Sequence, residues 1–265
     1  MKYMTLIYEH ADEIGKDSED KHKALIQQHN QLQKEAKEAR AYIGAVELKP
    51  ANSAISVRIQ NAKPSVTDGP FAESKEVFVG FYIFDCADLD AALKWAGMIP
   101  TGPNGGVEVR PIDDDESCPS IQTKPDSYAG ELNAGASMYA LLIYQPEAVF
   151  DAYSAKELDE LIQGNGAMAE NAMASGHYVL GNKLLPPVTT TTILNRNAQH
   201  SITDGPFSEA KEVLLGLHII ACKSIEEVRA YAEQIPNANA GVVEVRPINF
   251  YEQDGEMPLQ WTSST

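Results

Sequence analysis

Few residues in this chain could carry chemistry. His29 lies in a run where Leu25, Ile26, His29, Leu32 and Ala36 recur at helical spacing. That spacing sets an imidazole in the apolar stripe of a helix. A polar side chain there needs a partner, and two readings follow. It is a hydrogen-bonded core histidine, or it is a general base, a role its ordinary pKa of about 6.5 suits. Asp68 and Asp204 each open an Asp-Gly-Pro-Phe string. These are turn residues in their own right: Asp accepts from nearby backbone N–H groups, Gly permits unusual φ and Pro fixes the next bend. The functional alternative is a carboxylate that reaches the first helix and orients His29, making His29 and Asp68 a catalytic pair. Glu73, Lys75, Glu76, Glu108 and Arg110 recur as Glu209, Lys211, Glu212, Glu244 and Arg246. Opposite charges on adjacent strands form cross-strand pairs. The alternative uses Lys75, Glu76, Arg110 and Arg246 to line a ligand cleft, with Arg110 or Lys75 holding a substrate carboxylate. Tyr8 and Tyr144 end an apolar strand in each half, and either line that cleft or are plain strand aromatics.

The elements that must position these residues come twice. Asp68 and Asp204 lie 136 positions apart (204 − 68), and the same offset pairs Tyr8 with Tyr144, Gly80 with Gly216 and Cys86 with Cys222. It also pairs Val-Glu-Val-Arg-Pro-Ile at 107–112 with the same string at 243–248, and no gap is needed between 3–112 and 139–248. The chain is a tandem duplication. Its expected organisation is a module at 1–112, a linker at 113–136, a module at 137–250 and a polar tail at 251–265. The linker is acidic and then rich in Pro, Ser and Gly.

Each module reads as strand (2–9), helix (18–40), strands (42–48 and 54–60), the Asp-Gly-Pro-Phe turn, a long apolar strand (77–84), a helix and a closing strand. Ser18 and Asp88 are N-caps of the first copy. Ser154 with Glu157, and Ser224 with Glu227, have capping-box spacing in the second. The run Val-Thr-Thr-Thr-Thr-Ile at 188–193 reads as strand. Gly164 and Gly166 weaken the second copy's first helix by about 1 kcal/mol each. This order is a ferredoxin-like split βαβ of α+β class. Two helices cover one face of such a sheet and leave the other bare. The expectation is therefore that the copies cover each other as an intramolecular pseudo-dimeric α+β barrel, because a bare apolar face does not stay in water. Two beads on a linker is the alternative. Further homo-oligomerisation stays open.

Composition narrows the function. The net charge of −17 disfavours direct nucleic-acid binding and anionic membranes. No stretch reaches the roughly 18 apolar residues of a membrane span. Three cysteines, Cys86, Cys118 and Cys222, show neither paired spacing nor a metal-ligand cluster. The odd count, with no signal peptide, points to the cytoplasm. No cofactor or metal motif is present, so neither is expected.

The opening Lys-Tyr-Met-Thr-Leu-Ile-Tyr, His29, Thr-Asp-Gly-Pro-Phe-Ala-Glu-Ser-Lys-Glu and the closing Gly-Val-Glu-Val-Arg-Pro-Ile together resemble the YCII-related DGPF family. The resemblance covers both copies and implies a ferredoxin-like α+β barrel. It implies two roles: a regulatory accessory, since some relatives are encoded beside extracytoplasmic-function sigma factors, and a dehydrochlorinase-like lyase using a His–Asp pair. The helix histidine of that pair falls on His29 and, in the second copy, on Asn165. The aspartate has no counterpart, since 99–106 and 235–242 contain no acidic residue. The reading is thus a small-ligand-binding or regulatory accessory, its partner a small organic acid or a sigma-factor-type protein. The alternative is a cofactor-free lyase or isomerase with His29 as base.

Overall fold

The structure, a computed structural model, describes residues 1–71, 75–113, 135–196, 199–207 and 211–253. Glu73, Glu209, Cys118, most of the expected linker and the end of the tail lie outside the described residues. In the first copy the elements are β1 (Lys2–His10), α1 (Glu19–Glu38), β2 (Tyr42–Leu48), β3 (Ile55–Gln60), β4 (Lys63–Asp68), β5 (Glu76–Asp85), α2 (Leu89–Met98) and β6 (Gly106–Pro111). The second copy repeats them as β7 (Ser137–Pro146), a short α3 (Glu147–Asp151), α4 (Ala155–Ala174), β8 (Tyr178–Lys183), β9 (Thr191–Arg196), β10 (Gln199–Asp204), β11 (Glu212–Cys222), α5 (Ile225–Ala232) and β12 (Val242–Gln253).

The strands form one twelve-stranded antiparallel sheet in the order β10-β9-β6-β1-β5-β2-β12-β7-β11-β8, with the β3–β4 hairpin on the free side of β12. Two seams join the copies. At one, β12 runs on to pair with β2 from Ile248↔Leu48 to Gln253↔Gly44. At the other, the Ile112↔Leu184 bridge is flanked by backbone bonds from Asp113 N–H to Lys183 and from Leu185 N–H to Pro111. The seams are related by the 136-residue offset, so the sheet closes on itself as a pseudo-twofold barrel.

Alternation along each strand sends one face to the barrel interior and the other to the helices. Met4, Leu6, Tyr8, Phe81 and Ile83 meet Met138, Ala140, Leu142, Tyr144 and Ile219 inside. On the first copy's outer face α1 and α2 bury Leu32, Ala36, Ala92 and Ala96 against Tyr3, Ile7 and Phe84. On the second, α4 and α5 bury Met168, Ala172 and Val228 against Leu141, Ile143 and Ile220. Beads on a linker are thereby ruled out.

Several details depart from the pattern. Ile26 belongs to the helical stripe by spacing but is 46% exposed, because α1 touches the sheet mainly through its later turns. The run at 188–193 starts as a 3-10 turn at Pro187–Thr189 and becomes strand only at Thr191, since Pro186 and Pro187 have no N–H for a ladder. The hairpin strands β4 and β10 had no clear alternation. β4 tolerates Pro64 because it is an edge strand, and its turn places Asn61 and Ala62 at positive φ. Residues 251–253, read as tail, extend β12 and belong to one seam. Asp113, read as linker, belongs to the other. Ser224 accepts from Glu227 N–H, but the Glu227 carboxylate turns to Lys223 N–H.

The hairpins are exchanged. β3–β4 of the first copy pairs with β12 through Val57↔Val243, and β9–β10 of the second pairs with β6 through Ile193↔Val107. Each Asp-Gly-Pro-Phe turn is therefore delivered to the other copy.

Candidate functional site

His29 reaches the sheet beneath α1. Its Nδ1 shares a 2.7 Å hydrogen bond with the Tyr82 hydroxyl of β5, and the two rings stack. Burial pushes the imidazole pKa down to about 4, so the ring is neutral at pH 7. Asp68 does not reach it. That residue is exposed at the end of β4, on a hairpin paired to the other copy. The expected His29–Asp68 dyad is corrected to a His29–Tyr82 pair. Asp204 is likewise exposed. The turns are held through their glycines: Gly69 and Gly205 have φ of +88° and +96°, and donate to Ala54 and Thr190 carbonyls. Left-handed φ at both points requires glycine.

The same two positions in the second copy hold Asn165 and His218. Asn165 Nδ2 donates to the Leu161 carbonyl and to Asn237 Oδ1, both at 2.8 Å. Its Oδ1 therefore faces His218 Nε2 at 3.2 Å. An amide oxygen only accepts, so Nε2 carries the proton and Nδ1 accepts from the Tyr178 hydroxyl, 3.3 Å away. Asn237 donates on to Gln145, and Gln145 to the Tyr153 hydroxyl. Burial lowers the His218 pKa to about 4, which keeps this single tautomer.

Smaller and more apolar residues open a cavity here. It has a volume of about 310 Å³ and lies between α4, β8 and β11. Phe150, Leu158, Leu161 and Ile162 form its apolar wall, where the first copy has Ile14, His22, Leu25 and Ile26. Asn165, His218 and Asn237 form a polar floor. Asn182 borders it from β8, opposite Leu217 of the barrel interior. At the rim Lys183 Nζ meets Asp113 Oδ2 at 2.7 Å. Gly164 lets α4 approach: a Cβ there would stand 2.8 Å from Pro236 Cγ, in the turn that carries Asn237.

Arg110 and Arg246 do not hold a cleft mouth. They point into the barrel with Glu108 and Glu244, because they pair across from interior residues Met4, Ala140, Leu6 and Leu142. Arg110 is 2% exposed and donates to the Leu214 and Leu185 carbonyls. Arg246 bonds Glu244 and the carbonyls of Phe78 and Lys49. These guanidinium groups are structural. Each glutamate also accepts from the exchanged turn: Phe207 N–H donates to Glu108 at 2.8 Å and Phe71 N–H to Glu244 at 3.3 Å. Tyr8 and Tyr144 are buried against Phe207 and Phe71, and burial pushes both phenols far up. Lys75 is exposed, with its carbonyl accepting from Ala11 N–H. Glu76 is half-buried at the start of β5.

The cysteine spacing suggested no metal ligands. In three dimensions His177, Cys222 and Glu227 converge, with one ligand atom from each within 4.8 Å of the others. The pattern could not show this, because the three stand at the ends of different elements. The cavity was also illegible: its signal was the double change of His29 to Asn165 and Tyr82 to His218, which reads as a degenerate site when only the histidine is followed.

The YCII-related domain matches residues 1–114 and again 137–251. This chain belongs to the YCII-related family. An uncharacterised protein of Rhizobium meliloti (strain 1021) is 33% identical over 123 residues, which is 98% of that protein and 46% of this YCII-related chain. That relative thus has the length of one copy. A solved structure described as a candidate chlorite dismutase aligns over 93% of this chain and 94% of its own, at 9% identity and a TM-score of 0.43. One described as a candidate monooxygenase from Fusobacterium nucleatum aligns over 98% of both chains, at 11% identity and a TM-score of 0.40. Likenesses this distant decide nothing about activity. Among the described residues no helix of this YCII-related protein is long and apolar enough to cross a membrane.

Proposed function

We propose that this YCII-related protein is a small-molecule-binding module whose working site is the second copy's cavity. The observation that carries this reading is the cavity of about 310 Å³ beneath α4, with apolar walls and a floor of His218, Asn165 and Asn237. Ligand sites have this character: mostly apolar, with a few fixed polar groups, at volumes from about 300 Å³ upward. The hydrogen bonds of the floor run in one direction, from donor to acceptor along Tyr178, His218, Asn165, Asn237 and Gln145. What the cavity offers is acceptors, since the Asn165 and Asn237 amide oxygens each accept one bond and keep a second lone pair. Among the described residues the one cation at the rim, Lys183, is matched by Asp113. The ligand class that fits is a neutral, largely apolar molecule with an O–H or N–H donor, rather than a small organic acid.

General-base catalysis at His29 finds less support. An imidazole with a pKa lowered to about 4 is a weak base near neutral pH, where an effective one has a pKa near 7. The test is ligand-observed NMR on the full chain with pairs of matched shape, phenols against benzoates and alcohols against carboxylates. Donor-bearing neutral members should bind, and Leu161→Trp, which fills the cavity, should abolish the signal. Preference for the carboxylates, or binding that survives Leu161→Trp, would overturn the reading.

A further inference from the structure

We propose that His177, Cys222 and Glu227 form a binding site for a thiophilic divalent cation, zinc in the first place, on the second copy's outer face. His177 stands just before β8, Cys222 ends β11 and Glu227 lies in the first turn of α5. One ligand atom from each lies within 4.8 Å of the other two. A thiolate, an imidazole and a carboxylate suit zinc, whereas calcium and magnesium favour all-oxygen sets.

The surroundings fit this assignment. Nδ1 of His177 is held by the Tyr231 hydroxyl at 2.9 Å. That bond orients the ring and leaves Nε2 for the ion, as the outer bond of a ligating histidine commonly does. Cys222 is buried, His177 half-buried and Glu227 exposed, so an ion enters from solvent past the carboxylate. Zinc bonds of about 2.0–2.3 Å require ligand atoms closer than 4.8 Å. Glu227 supplies that approach, because its exposed side chain is tied by one oxygen only, to Lys223 N–H at 2.9 Å. Three protein ligands leave a fourth position for solvent or an external ligand.

The first copy is an internal control. At the offset of 136 its residues are Ala41, Cys86 and Ala91. The cysteine recurs without its partners, so the two added ligands belong to the second copy alone.

The experiment uses the full chain, freed of metal with a chelator and titrated with zinc by calorimetry and with cobalt by absorption. One ion should bind per chain, and cobalt should give a thiolate-to-metal charge-transfer band in the near ultraviolet. Cys222→Ser should remove the band, while Cys86→Ser and Cys118→Ser should keep it. Because Cys222 is buried, His177→Ala and Glu227→Ala carry the same test in a form the fold already accepts in the first copy. Each should weaken zinc binding by at least tenfold. Absence of a band in the unaltered chain would overturn the proposal. So would a band that survives Cys222→Ser, or affinity unchanged in both alanine variants.

Discussion

At the scale of single residues the molecule separates buried groups that are neutral from those that are charged and paired. His218 is 3% exposed and its pKa is lowered to about 4. Above pH 6.5 it is neutral both folded and unfolded, and its contribution is complete. As the pH falls from 6.5 to 4, the unfolded chain takes up a proton that the folded chain refuses, and stability is lost. At about 1.4 kcal/mol per pH unit the loss nears ~3 kcal/mol. Urea unfolding near pH 7.5 and near pH 4.5 should show a smaller drop for His218→Gln than for the unaltered chain; an equal drop would place the lost stability elsewhere. The glutamates and arginines of the barrel are the opposite case. Arg246→Met leaves Glu244 buried without its cation, a change worth about 3–5 kcal/mol. The urea midpoint should fall accordingly, and recover in part when Glu244→Gln is added.

Among the elements, the exchanged hairpins and α4 matter most. Glycine in a helix interior ordinarily costs about 1 kcal/mol against alanine. At position 164 it has a purpose, since an added Cβ would press on Pro236 and push away the turn that carries Asn237. Gly164→Ala should weaken binding of a donor-bearing ligand more than tenfold while leaving thermal stability within about 1 kcal/mol, because the better helix propensity offsets the contact. Ligand titration together with thermal unfolding checks both. The turns with Gly69 and Gly205 explain why the Asp-Gly-Pro-Phe string occurs twice. Each presents a phenylalanine N–H to a buried glutamate of the other copy. Its backbone contacts are those of assembly, and Asp68 and Asp204 stand exposed at the surface.

For the whole molecule, hairpin exchange means that neither copy is complete. A fragment of residues 1–113 lacks the β9–β10 hairpin that pairs with its β6, and exposes an interior lined by Met4, Leu6, Phe81 and Ile83. Light scattering should find it dimeric or aggregated; a folded monomer would contradict the exchange. The relative of single-copy length from Rhizobium meliloti faces the same exposure and is expected to dimerise, which the same measurement checks.

The duplication, the split βαβ order of each copy and the need to cover a bare sheet face were legible in residue types alone, because they rest on periodicity and on an exact offset. Ser18, Asp88 and Ser154 were legible as caps for the same local reason, and each accepts the expected backbone bond. Tertiary structure decided what those local rules do not reach. Closure of the barrel buried the inward-facing Arg110 and Arg246, hairpin exchange carried Asp68 away from His29, and pairing with β2 turned residues 251–253 into strand. It also decided where a cavity opens and which three ligands converge on the second copy. Such outcomes depend on which distant strands meet, and spacing along one chain carries no record of that.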